Sequence, residues 1–115
     1  MTVKMSQLVI RIQNIDHAVF YVDVPTTEGY VIGRSDEASN YLPDIDLAAF
    51  GARDKGVSRR HTGIVRYQGS TCVVDLNSVN GTFLDGQRMQ PDVPYPVGKA
   101  CELMLGTLRL SISNL

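Results

Sequence analysis

From Leu8 the chain alternates, with Leu8, Ile10 and Ile12 on one side and Val9, Arg11 and Gln13 on the other. That period of two predicts a β-strand. Residues 18–24 (AVFYVDV) are rich in β-branched and aromatic side chains and predict a second strand, stopped by Pro25. A short third strand, Tyr30 to Arg34, delivers Arg34 into a loop. Between Ser35 and Val57 the periodicity disappears, apart from Asp44 to Leu47 (DIDL), which predicts a brief strand with Ile45 and Leu47 inward. Residues 46–51 can form one turn, and no stretch has the spacing of a longer helix.

Alternation resumes after Ser58, with Thr62, Ile64 and Arg66 against Gly63, Val65 and Tyr67. Gln68-Gly69 and Asp85-Gly86 are both hairpin turn signals, the second flanked by TFL and QRM. The three prolines of PDVPYPVG confine that segment to loop or sheet edge. CELML and LRLSI flank Gly106-Thr107, and the closing strand points Leu108, Leu110 and Ile112 inward. About eleven short strands with frequent turns predict an all-β fold, an antiparallel β-sandwich.

A chain of 115 residues fits a single domain, 1–115, with its core from about residue 8 to 113. Formal net charge is -1, so the whole molecule offers no field that gathers nucleic acid or an anionic membrane. The basic residues are unevenly placed, however: Arg53, Lys55, Arg59 and Arg60 fall within one short stretch. That cluster lacks the interleaved aromatics of a nucleic-acid surface and reads first as a solvated loop. No apolar run near the N-terminus resembles a signal peptide or a membrane span, which predicts a cytoplasmic location. Cys72 and Cys101 have no metal or redox spacing and fall in rows of apolar neighbours (Cys72, Val74, Leu76; Cys101, Leu103, Leu105), so both are expected in the core.

Three polar stretches carry candidate chemistry. Arg34, following Gly33, presents a planar fork of donors suited to phosphate or carboxylate. Ser58 and His61 share a second turn, and NSVNGT, with Asn80-Gly81, forms a third. Ser58 with His61 raises the question of a nucleophile and its base, but the Gly-x-Ser-x-Gly turn of a hydrolase is missing. A neutral histidine instead suits fixing one loop against another. The Asn80 side chain carries a donor and an acceptor that can hold an extended peptide backbone.

In order, Gly33-Arg34, PDIDL at 43–47, Ser58-Arg-Arg-His61, DLNSVNGT at 75–82, Asp85-Gly86 and a closing Leu-x-Leu resemble a forkhead-associated (FHA) domain over nearly the whole chain. The resemblance implies a β-sandwich of about eleven strands whose loops at one end bind phosphothreonine peptides. Arg34 and Ser58 then match phosphate-gripping positions, Arg59 adds a contact, and Asn80 holds the peptide backbone. Gly33, His61, Val79 and Gly81 match site-shaping positions. Many family members carry Thr or Ser where this chain has Val79, which removes one hydroxyl from the phosphate site.

Arg53 and Lys55 would select an acidic residue about three positions after the phosphothreonine. The implied function is a non-catalytic signalling or assembly adaptor, monomeric, without cofactor or metal. Its partner would be a phosphothreonine-containing protein or peptide, the substrate of a Ser/Thr kinase. The alternative is a phosphate-independent assembly or self-association module.

Overall fold

Two-residue alternation builds eleven strands in the computed structural model, which describes residues 6–115. Residues 1–5, the start of the expected domain, lie outside the described residues. The strands are β1 (Gln7–Ile12), β2 (Val19–Asp23), β3 (Tyr30–Gly33), β4 (Ile45–Asp46), β5 (Arg60–Tyr67), β6 (Ser70–Asp75), β7 (Thr82–Leu84), β8 (Gln87–Arg88), β9 (Tyr95–Pro96), β10 (Ala100–Leu105) and β11 (Leu108–Asn114). One 3-10 turn, Ala48–Phe50, falls inside the stretch where a single turn was expected.

The strands form two sheets, ordered β2-β1-β11-β10-β7-β8 and β4-β3-β5-β6-β9. Their facing sides bury Leu8, Ile10, Ile32, Ile64, Leu103, Leu110 and Ile112 in one continuous core. The fold is thus the expected all-β sandwich, with one refinement: β4 runs parallel to β3, while the other strand pairs are antiparallel. A crossover long enough for parallel pairing exists here because residues 34–44 separate the two strands. Ile45 and Leu47 are fully buried, as DIDL predicts.

The expected inward row on β6 needs correction. Cys72 is buried, but Val73 is the β6 residue of the core cluster, and Val74 and Leu76 are only half-buried. The row facing the core therefore contains Val73 and Asp75. Asp75 is tolerated there because its Oδ1 accepts hydroxyl protons from Ser78 and Thr82, each at 2.6 Å, and its Oδ2 accepts the Ser78 N–H at 3.3 Å. Buried charge is costly unless it is bonded in this way. On β10 the expected row holds, and Cys101, Leu103 and Leu105 are all in the core.

Three of the connections matter for function. The loops after β3, before β5 and between β6 and β7 emerge together, since β3, β5 and β6 are neighbours in one sheet.

Candidate functional site

The segment from Gly56 to Arg59 is the spine to which the other loops are tied. Arg34 donates from Nε to the Val57 carbonyl at 2.6 Å, and its backbone N–H bonds the Arg59 carbonyl at 3.2 Å. Asn80 donates from Nδ2 to the Gly56 carbonyl at 2.9 Å. Val79 donates its backbone N–H to Ser58 Oγ at 3.1 Å. Two stretches remote from each other in sequence therefore meet on the four consecutive residues of a third.

Gly33 permits the closest of these approaches. A Cβ there would lie 1.8 Å from the Arg59 carbonyl oxygen, so any side chain would push β5 away from β3. Gly56 has a second requirement that the sequence reading missed: its φ of +81° lies in the left-handed region, and a Cβ there would stand 2.5 Å from Asn80 Nδ2.

His61 is wholly buried at the start of β5. Its Nδ1 accepts the Ser58 N–H at 3.0 Å, which leaves Nε2 protonated to donate to the Gly81 carbonyl at 2.9 Å. Burial pushes its pKa down, against smaller opposite effects of the Gly81 carbonyl and the Asp75 charge. The ring meets the backbone of Ser58, whereas Ser58 Oγ is engaged by Val79, so the pair lacks the hydroxyl-to-imidazole bond of a nucleophile and base. Gly81 stands at φ +87, and its carbonyl and N–H are held by His61 and Ser78.

The donors that remain define the chemistry. Ser58 Oγ already accepts a bond, and its own proton is available to a ligand oxygen. Asn80 retains its side-chain carbonyl and a second N–H. Val79 turns its side chain outward, 84% exposed, beside them.

Arg34, Arg53 and Arg59 line one open cleft of about 550 Å³, together with Asp36 and Glu37. Ser58 and Asn80 lie beside this cleft along the spine and do not line it. Lys55 is separated from Arg53: it lines another cleft with Gln13, Asn14 and Thr107, and its carbonyl accepts the Thr107 N–H at 2.8 Å.

The sequence reading missed Asp36. Its Oδ2 accepts from Arg59 Nε at 2.6 Å and from Arg34 Nη1 at 3.0 Å. The Arg59 guanidinium foremost, then the Ala38 N–H and Arg34, outweigh partial burial and hold this carboxyl below its ordinary range. An acidic residue two positions after a strand-ending arginine was the available signal. Nearby, Asp46 is penalised by burial, but bonds from the Ser35 hydroxyl, Ser35 N–H and Ala48 N–H outweigh that and lower its pKa.

The FHA domain profile matches residues 30–106, and the chain belongs to the FHA domain family, which is known for phosphopeptide binding and whose domains are interaction modules. An oxoglutarate dehydrogenase inhibitor from Corynebacterium diphtheriae is 33% identical over 93 residues, covering 81% of this chain and 54% of that protein. A probable E3 ubiquitin-protein ligase, dma1, from Schizosaccharomyces pombe is 37% identical over 79 residues, covering 65% of this chain and 28% of that protein. The chain thus spans about half or less of the length of these curated relatives.

Among solved structures, an engineered FHA domain with a Myc-pTBD peptide superposes with a TM-score of 0.73 at 18% identity, over 96% of this chain and 92% of that one. An FHA domain from a study of phosphothreonine-dependent interactions gives 0.68 at 20% identity, over 93% and 95%. These likenesses establish the shared fold. No helix among the described residues is long and apolar enough to cross a membrane.

Proposed function

We propose that this domain binds phosphothreonine in proteins phosphorylated by a Ser/Thr kinase, and that it acts as an adaptor. The observation that carries this reading is the joining of Arg34, Ser58, Arg59 and Asn80 through the Gly56 to Arg59 spine. A phosphothreonine brings roughly -1.5 to -2 charge and three acceptor oxygens. Two guanidinium groups and the Ser58 hydroxyl match it in sign and donor number. Asn80 would hold the peptide backbone beside the phosphate.

Charge-assisted bonds of this kind contribute about 1.5–3 kcal/mol each. Two or three of them, after association costs, support micromolar binding near about -8 kcal/mol. That strength suits a contact made and broken by a kinase and a phosphatase. The threonine methyl would be read against the exposed Val79, and Arg53, in the same cleft as Arg34, would favour an acidic residue beyond the phosphothreonine.

Titration of a phosphothreonine peptide library, randomised around the phosphate, tests the reading. Binding is expected to depend on the phosphate, and Arg34→Ala is expected to weaken it about ten- to hundredfold. Undiminished affinity in Arg34→Ala would overturn the assignment.

A further inference from the structure

Asp36 occupies the space in front of both arginines that the phosphate reading requires. Its Oδ2 is shared by Arg34 and Arg59, and its Oδ1 accepts the Ala38 N–H at 2.9 Å. That second bond closes a local turn and anchors the carboxylate to the loop after β3. The carboxylate is therefore pre-positioned by its own loop, without any ligand, and its side chain is only 13% exposed.

The two arginines are held unequally. Arg34 is 18% exposed and also bonded to the Val57 carbonyl, whereas Arg59 is 49% exposed and meets Asp36 through Nε alone. Arg59 is thus the partner that can leave Asp36 for a ligand. Each guanidinium has five N–H donors, so most of those on Arg59 remain usable even while the bond to Asp36 persists.

We propose that Asp36 is a specificity-determining residue, an internal carboxylate that competes for the arginine pair and sets the charge a ligand must carry to be held. The inference rests on the phosphopeptide reading of this site. A peptide glutamate or aspartate in place of phosphothreonine offers one negative charge, no more than Asp36 already supplies, and it lacks the local anchor. It does not draw Arg59 away. A phosphate near its second ionisation offers up to twice that charge and three acceptor oxygens, and it does. Asp36 lowers affinity for every anion, but it lowers binding of singly charged anions below use.

Asp36→Asn removes the charge while keeping the side-chain oxygen that receives the Ala38 N–H, and Asp36→Ser offers a second neutral acceptor in a shorter side chain. Fluorescence anisotropy would compare wild type and both variants with a labelled phosphothreonine peptide pool and with the same pool carrying glutamate at that position. Both variants are expected to bind the phosphothreonine pool about three- to tenfold tighter, the scale of removing a partly exposed competing charge from two contacts. The glutamate pool should become measurable only in the variants. Unchanged or weaker phosphothreonine binding in both variants, with wild type binding normally, overturns this inference alone and makes Asp36 a residue that positions the arginines. Absence of phosphothreonine binding in all three proteins overturns the phosphothreonine reading and this inference with it.

Discussion

His61 shows how a residue whose type suggests catalysis can be fixed as scaffold by its surroundings. Both ring nitrogens are used by backbone groups from two different loops, so the neutral ring ties the Ser58 turn to the Gly81 turn. Burial lowers its pKa, and the sign of the consequence follows. Above the unfolded value of about 6.5 the ring is neutral in both states and its contribution to stability is complete. As pH falls below about 6.5, the unfolded chain takes up the proton first and stability is lost until the folded ring also protonates. Urea midpoints measured at two pH values on either side of that point should therefore separate more in wild type than in His61→Gln. Equal separations would mean that His61 is not the titrating group. The residue type and its spacing from Ser58 were readable, and so was the scaffold role expected of it; its tautomer was not, because that depends on a carbonyl twenty positions away.

At the scale of elements, turn chemistry was the most readable feature. Gln68-Gly69 has φ values of 49 and 80, and Asp85-Gly86 has 46 and 88, the paired left-handed residues that a tight hairpin needs. The long loop after Arg34 was less readable, because its shape depends on polar closure and not on periodicity; Asp36 reaches Arg59 across 23 positions. On β6 a different rule failed, since the buried Asp75 made the inward row look solvent-facing. Gly33 joins element to site: the β3–β5 register shifts between Ile32 and Gly33, where the Arg59 carbonyl crosses. Gly33→Ala should cost at least about 2 kcal/mol through overpacking against backbone that has no flexible end to move. For a domain of this size that is a fall in Tm on the order of 10 °C. A thermal melt matching wild type would show that β5 can move aside freely.

Across the whole molecule, pairing partners lie far apart in sequence. β1 pairs with β11, and β7 pairs with β10 after the chain has crossed from one sheet to the other. Hairpin turns name neighbours only for strands adjacent in the chain, such as β5 with β6 and β7 with β8, so the remote pairings that complete the sheet order follow from the structure alone. Because each sheet is closed by such remote pairings, access to its interior requires cooperative opening. The two cysteines report on this directly, one from each sheet. Cys72 is 2% exposed and Cys101 6%, and burial raises both thiols, Cys101 to about 11. Only the thiolate reacts with a disulfide reagent, so a buried thiol held in its protonated form is doubly protected. The folded chain at pH 8 should react with such a reagent no faster than it unfolds, and both thiols should react promptly in strong denaturant. Rapid modification of one thiol in the folded chain would mean that its sheet opens locally while the other stays closed, and the sandwich would then not be a single cooperative unit.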